Sequence, residues 1–165
     1  MKRIEKITES ALDRVEEIYA HARAYMRTSG NLMQWAGGYP PREQILSDIS
    51  AGKLYACMEE DEILGVFYFA VENDPTYAKI YDGAWRNDRP YAVIHRVAVS
   101  EKSHGKGVAR FIFDHCFAQY GNLRIDTHKD NVPMQKALLK SGFVHCGTIL
   151  LANGDPRLAF QRTDA

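Results

Sequence analysis

The segment from Val97 to Arg110 reads VAVSEKSHGKGVAR and passes from a strand-like run, through a loop of small residues, into an apolar helical pattern. Gly105 and Gly107 lie where this helix should begin. The first turn of a helix presents unpaired backbone N–H groups and a partial positive charge, and residues without bulky side chains let an anion approach them. The segment therefore predicts a strand, a turn and a helix arranged to bind a phosphate-like anion.

Apolar spacing on either side of this segment predicts alternating strands and helices. Before it we expect a strand at 3–7, helices at 9–27 and 41–52, and strands at 54–59, 63–72 and 91–100. After it we expect a helix from 108 to 120, a strand at 123–127, a helix from 131 to 141, and strands at 143–151 and 157–161. This order predicts an α/β (α+β) chain, with a mixed sheet covered by helices on its faces.

Composition narrows the function classes. The 165 residues, without repeats or linkers, predict a single domain spanning 1–165. The 21 Lys and Arg residues balance the 21 Asp and Glu residues, so we expect neither nucleic acid nor an anionic membrane as a partner. Three cysteines cannot all pair within one chain, which favours a cytoplasmic protein. The six histidines show no metal-ligand spacing, so we expect no metal site.

Two motifs carry a family resemblance. Residues 104–109 read HGKGVA, which is neither a P-loop nor a dinucleotide fingerprint. They resemble the acetyl-coenzyme-A signature of the GNAT N-acetyltransferase superfamily, Gln/Arg-x-x-Gly-x-Gly/Ala, with His104 in place of the first Gln or Arg. Further along, Asn131 opens a predicted helix that ends in Gly-Phe at 142–143, as in that superfamily.

The resemblance implies a GNAT acyl-CoA N-acyltransferase fold, with a central, mostly antiparallel mixed sheet of six to seven strands flanked by about four helices. Its two parallel strands, here 91–100 and 123–127, would splay apart to admit acetyl-coenzyme A. Backbone groups near Val97 and Val99 would bind the pantetheine arm, and main-chain amides would hold the pyrophosphate. The cofactor-binding residues implied are Val97, Ala98, Val99, His104, Gly105, Lys106, Gly107, Val108, Ala109, Arg110, Asn131 and Lys136.

The resemblance leaves the catalytic side chains open, because Val93 and Leu138 stand where many members have a glutamate base and a tyrosine acid. His95 lies two residues after Val93, on the same face of the strand, and an imidazole can accept a proton near neutral pH. We interpret His95 as the candidate base; the alternative is a histidine packed within the sheet against a carboxylate or carbonyl. The acid stays unassigned, and Cys146 is favoured as a small core residue over a nucleophile.

Two segments are candidates for the acceptor site. The first is 31–40; the second, 73–90, shows no clean period and is a candidate lid. The substrate-binding candidates are Trp35, Tyr39, Glu72 and Tyr81. The aromatic residues of these segments could instead pin them onto the core. Acidic residues together with Arg86 and Arg89 would suit a zwitterion, although a polyamine, an aminoglycoside or a peptide end fits the sequence as well.

These observations favour an acetyl-CoA-dependent N-acetyltransferase that acts directly on a primary amine of a small molecule, such as an amino acid, or of a peptide end. An α-amino group has a pKa of about 7.7–8.0 and is partly neutral at pH 7, so it depends less on a general base than a lysine side chain, whose pKa is about 10.4. The alternative is a non-catalytic acyl-CoA-binding sensor, which Val93 and Leu138 favour. A homodimer is compatible with the sequence.

Overall fold

One mixed sheet organises the chain, and a computed structural model describes residues 1–164 of it. The strands are β1 (Lys2–Lys6), β2 (Leu54–Glu59), β3 (Glu62–Val71), β4 (Ala92–Val99), β5 (Asn122–Thr127), β6 (Val144–Leu150) and β7 (Pro156–Thr163). The helices are α1 (Leu12–Thr28), α2 (Arg42–Ser50), α3 (Val108–Gln119) and α4 (Val132–Lys140). The predicted element order is confirmed. The first helix starts at Leu12 rather than at residue 9 because Glu9–Ala11 form a 3₁₀ turn.

The seven strands follow the order β1-β2-β3-β4-β5-β7-β6, and all neighbours are antiparallel except β4 and β5. That parallel pair is short, because only Ala92 with Leu123 and Val93 with Arg124 are in register. Beyond Val93, no strand among residues 1–164 pairs with the edge of β4 that faces β5. The backbone N–H and C=O groups along this edge can therefore hydrogen-bond a ligand. The expected splaying of the two parallel strands is therefore confirmed.

Helices cover both faces of the sheet. On one face α1 buries Val15, Ile18 and Tyr19, at helical spacing, in a cluster that includes Val93 of β4. On the other face α3 and α4 cover a second apolar cluster. A Cβ on Gly65 of β3 would lie 2.9 Å from a methyl group of Val108, so glycine permits the close approach of α3. No helix among residues 1–164 is long and apolar enough to span a bilayer.

A β-bulge in β4 determines how the site is built. The pairing of β3 with β4 shifts by one residue, so Val66 lies opposite Ala98 but Tyr68 lies opposite His95. Arg96 occupies the bulge with φ 51°, in the left-handed region. As a result, the side chains of His95 and Arg96 both contact the ring of Tyr68, although consecutive residues of a regular strand would lie on opposite faces of the sheet.

Residues 73–90 pack against the sheet, which corrects the candidate-lid interpretation. Tyr77 is 1% exposed, and Trp85 Nε1 donates a hydrogen bond to its carbonyl oxygen at 2.9 Å. Gly83 lies so close to β6 that a Cβ would meet the Cys146 carbonyl oxygen at 2.0 Å. The aromatic residues of this segment therefore pin it in place, which is the alternative that the sequence left open.

Candidate active site

Two adjoining cavities open where β4 and β5 separate. The histidine cavity, lined by His95, has a volume of about 580 Å³, and the glycine cavity, lined by Gly105 and Gly107, about 550 Å³. The residues that line both cavities are Met26, Val97, Asn131 and Met134. Because Val97 follows the last paired residues of β4, the boundary between the cavities lies where the strands part. The two cavities therefore form one continuous cleft.

The glycine cavity ends at the N-terminus of α3. Gly105 and Gly107 have φ of 76° and 73°, a left-handed conformation that favours glycine, and a Cβ at either would meet nothing within 4 Å. The N–H groups of Gly107 and of the first three residues of α3 have no acceptor among residues 1–164. Unpaired amides beside open space at a helix N-terminus are an arrangement that can bind an anion, which is the geometry expected from the sequence.

Most of the predicted cofactor-binding residues line the glycine cavity. They are Val97, Ala98, Val99, His104, Gly105, Gly107, Val108, Ala109, Arg110, Asn131 and Lys136. Lys106 is the exception: it is exposed and lines neither cavity, and its N–H donates to the Ser103 carbonyl oxygen at 3.3 Å. Sequence reasoning missed Ser141, whose buried hydroxyl lines the cavity without a hydrogen-bond partner.

His104 contacts α1 and does not point freely into the cavity. Its Nε2 lies 2.9 Å from Nε2 of His21, and its ring packs on Tyr25 with the centroids 4.6 Å apart. Burial lowers the pKa of His104, and the charge of His21 lowers it further. A neutral His104 at pH 7 provides no fixed positive charge, so anion binding here depends on the main-chain amides.

His95 lies in the wall of the histidine cavity with 20% of its side chain exposed, and its Nε2 lies 3.0 Å from Oδ2 of Asp74. Burial acts to raise the pKa of Asp74, but hydrogen bonds from His95 and Thr76 outweigh it and hold that pKa at about 2. The ionised Asp74 fixes the orientation of the ring and makes Nε2 the protonated nitrogen. Nδ1 is then the nitrogen that can accept a proton.

Asp126 of β5 lines the same cavity, and sequence reasoning missed it. Tyr77 donates its hydroxyl to Oδ1 of Asp126 at 2.5 Å. Burial raises the pKa of Asp126, while His95 and the Tyr77 hydrogen bond act against that rise. Burial also raises the pKa of Tyr77, so its hydroxyl remains a donor. The signal available in the sequence was one acidic residue near the end of the predicted strand at 123–127, next to the predicted cleft.

Trp35 and Tyr39, both predicted for the acceptor site, line the histidine cavity. Tyr39 accepts a hydrogen bond from Nη1 of Arg96 at 3.1 Å. The same guanidinium donates from Nε and Nη2 to both oxygens of Asp48 in α2, at 2.7 and 3.1 Å. Asp48 is 4% exposed, so this is a buried, bidentate ion pair that ties α2 to the bulge beside His95.

Glu72 and Tyr81, the other two predicted acceptor residues, line neither cavity. Glu72 accepts hydrogen bonds from Lys53 Nζ at 2.7 Å and from the Tyr68 hydroxyl at 2.7 Å, so its carboxylate is already satisfied by neighbours on the sheet. Tyr81 is 44% exposed, and its backbone pairs with Thr148 as a short extension of β6.

The family positions for a base and an acid hold buried apolar side chains. Val93 and Leu138 are both 0% exposed. The cysteines of residues 1–164 are buried and line neither cavity; they are Cys57, Cys116 and Cys146. Burial raises the pKa of the Cys146 thiol, which makes it a poor nucleophile. Within the described part of the chain no group of three or more His, Cys, Asp or Glu side chains is arranged to hold a metal ion.

Comparison with known proteins agrees with this geometry. Residues 12–143 match the Acetyltransferase (GNAT) family. A GNAT family acetyltransferase from Streptococcus agalactiae is 29% identical, with a TM-score of 0.91 over 99% of this chain and 96% of that one. One from Listeria monocytogenes is 14% identical, with a TM-score of 0.71 over 98% and 94%.

Aminoglycoside acetyltransferases share the fold as well. AAC(6')-Ib in complex with ribostamycin and coenzyme A is 20% identical, with a TM-score of 0.68 over 99% of this chain and 93% of that one. No curated protein matches the sequence. Because the family match covers most of the chain and agrees with the splayed strands and the anion site, the chain belongs to the GNAT acetyltransferase family.

Proposed function

We propose that this protein transfers the acetyl group of acetyl-coenzyme A directly to a primary amine of a small molecule or of a peptide end. The observation that carries the proposal is the boundary between the two cavities at Val97 and Asn131, with unpaired amides on one side and His95 on the other. AAC(6')-Ib, which shares the fold, is known in complex with acetyl-coenzyme A. The two cavities would hold the cofactor and the amine, respectively.

The residues of the glycine cavity fit coenzyme A. The free N–H groups at 107–110 would bind the pyrophosphate, with Lys136 and Arg110 adding positive charge at the cavity wall. The unpaired edge of β4 beyond Val93 would hydrogen-bond the amide groups of the pantetheine arm. When bound, acetyl-coenzyme A supplies an activated thioester carbonyl.

His95 would act as general base in this reaction. An amine attacks a carbonyl only through a free electron pair, so a proton must leave nitrogen during transfer. Nδ1 of His95 accepts that proton, and Asp74, hydrogen-bonded to Nε2, stabilises the imidazolium that forms. Val93 and Leu138 cannot titrate, so the chain uses neither the glutamate nor the tyrosine found in many relatives.

The test is release of free thiol from acetyl-coenzyme A in the presence of a panel of primary amines, run beside thermal unfolding with the cofactor alone. We expect the cofactor to raise the melting temperature and at least one amine to release thiol above the hydrolysis rate. If the cofactor stabilises the protein but no amine releases thiol, the proposed enzyme function would be wrong. The alternative, a non-catalytic acyl-CoA sensor, would then be supported, in agreement with the buried Val93 and Leu138. A cofactor that does not stabilise the protein would contradict both functions.

A further inference from the structure

Arg157, near the start of β7, is a buried cation in the histidine cavity without a carboxylate partner. The residue is 7% exposed, and its guanidinium donates one hydrogen bond within the protein, from Nη1 to the Pro156 carbonyl oxygen at 2.9 Å. None of the ion pairs among residues 1–164 includes it, whereas the other buried arginine of this cavity, Arg96, binds both oxygens of Asp48. Burying a guanidinium costs folding free energy unless an anion pairs with it. An anion from outside the chain could therefore bind Arg157 and offset this cost.

A second unsatisfied donor lines the same cavity. The Thr127 hydroxyl is buried and has no hydrogen-bond partner among residues 1–164. Thr127 pairs with Leu158, so strand alternation puts its side chain and that of Arg157 on opposite faces of the sheet, and both residues line the cavity because it opens at the ends of β5 and β7. The planar guanidinium alone matches a carboxylate, which accepts several hydrogen bonds at its two oxygens.

Asp126 lies on the same face of the sheet as Arg157, because it pairs with Ala159, and the positive charge of Arg157 acts to lower its pKa. The two side chains form no ion pair or hydrogen bond among residues 1–164, and Asp126 accepts instead from Tyr77. Asp74 accepts from His95 and Thr76, and Asp155, at the exposed rim, accepts from Asn153. The cavity therefore combines carboxylates that can attract an ammonium group with a guanidinium that no carboxylate of the described chain contacts directly. Such a combination of both charges is complementary to a zwitterion.

We propose that Arg157 binds a carboxylate of the acceptor, so that the substrates are primary amines that also carry a carboxylate, such as amino acids or short peptides. This inference rests on the proposed acetyltransferase function and narrows it. Polyamines and aminoglycosides carry no anionic group and would give the buried guanidinium of Arg157 no hydrogen-bonded anion. The arginines that the sequence offered for a zwitterion do not take part, because Arg86 and Arg89 are exposed and line neither cavity.

The test compares kcat/KM for amino acids with kcat/KM for the matching amino-acid amides, in which a neutral carboxamide replaces the carboxylate. Spermidine and kanamycin serve as acceptors without a carboxylate. For the unmodified protein we expect the acid to exceed its amide by about 10- to 100-fold, because a charged hydrogen bond between buried groups is lost in the amide. In Arg157→Gln the preference should collapse to within about threefold, through a loss on the acid alone.

Two further variants separate recognition from folding. Arg157→Lys keeps the charge without the planar fork and should retain an intermediate preference. Arg86→Gln removes an arginine outside the cavities and should leave the preference unchanged.

Equal rates for acids and amides in the unmodified protein, or faster turnover of spermidine or kanamycin, would overturn this inference while leaving the acetyltransferase function standing. Absence of turnover with every amine would overturn the proposed function and this inference together.

Discussion

The carboxylate of Asp74 decides which nitrogen of His95 can accept a proton. Its Oδ2 lies 3.0 Å from Nε2, in a cavity wall that also carries Asp126, whose carboxylate accepts a hydrogen bond from the buried Tyr77. Proton acceptance at Nδ1 therefore depends on Asp74 remaining ionised, which its low pKa of about 2 ensures throughout the neutral range. Single residues of this kind determine the chemistry, although the fold would tolerate other side chains at the same positions.

We expect His95→Ala to lower kcat/KM by about 100-fold or more, because general base catalysis contributes at least that much, and to leave the Kd for coenzyme A within about twofold. The pH–rate profile should lose its limb on the acidic side. His115→Ala is the matched control, since His115 of α3 lines neither cavity. A profile and rate equal to those of the unmodified protein would remove His95 from the mechanism.

Asp126 should make stability fall as pH rises. Its pKa in the folded state is raised above 3.8, so its stabilising contribution is complete below that pH and is lost as pH rises through the raised value. Asp126→Asn cannot ionise. Measured by urea unfolding from about pH 4 to about pH 7, the free energy of unfolding of the unmodified protein should decline relative to this variant.

Asp74→Asn provides the control of opposite sign. The lowered pKa of Asp74 gives a contribution that is present above pH 3.8 and lost as the pH falls towards about 2. A constant difference between the unmodified protein and Asp126→Asn across the same range would show that Asp126 titrates normally.

Among the elements, the N-terminus of α3 is the part most directly built for binding. Four consecutive N–H groups at 107–110 lack acceptors, and the left-handed glycines before them leave open space in front. If backbone groups bind the anion, as we propose, His104 in place of the usual Gln or Arg should cost little affinity. The neutral His104, in contact with His21, contributes packing rather than charge.

We expect Gly107→Val to weaken coenzyme A binding by tenfold or more, because the new side chain fills the open space and strains a left-handed position by about 1–2 kcal/mol. Gly30→Val is the matched control: Gly30 also has positive φ and open space around it, but lines neither cavity. It should lose similar stability and keep its affinity. His104→Ala should change the Kd by less than about threefold. Titration calorimetry measures all three, and equal affinities for Gly107→Val and Gly30→Val would refute the anion site.

The ion pair between Asp48 of α2 and Arg96 in the β4 bulge is the second important contact between elements. Asp48→Ala leaves the guanidinium of Arg96 buried without its counter-ion, and we expect a loss of about 3–5 kcal/mol in the free energy of unfolding. The exposed pair of Arg3 and Glu5 is the comparison, and Glu5→Ala should cost less than about 1 kcal/mol. Chemical denaturation gives both values. Similar small losses would mean that the buried pair contributes nothing to the position of the bulge.

For the molecule as a whole, the sequence predicts the element order and the glycine turn, because these depend on local periodicity and on residues close together in the chain. The splayed strands follow from the family resemblance rather than from periodicity. It does not predict the bulge at Arg96, since β4 buries apolar side chains on both faces and has no alternation in which an extra residue would be visible. Nor does it predict the pairing of Tyr77 with Asp126 or the burial of Arg157 in the cavity, which depend on contacts across distant segments. The positions of Glu72 and Tyr81 outside both cavities depend on such contacts as well.

The central claim is that the two cavities form a single cleft in which coenzyme A binds through the amides of α3. Titration calorimetry of the unmodified protein with acetyl-coenzyme A tests it most directly. The structure predicts one saturable site per chain, with an affinity that falls at least tenfold in Gly107→Val. An absence of binding heat at several temperatures, or equal binding by the unmodified protein and Gly107→Val, would contradict it.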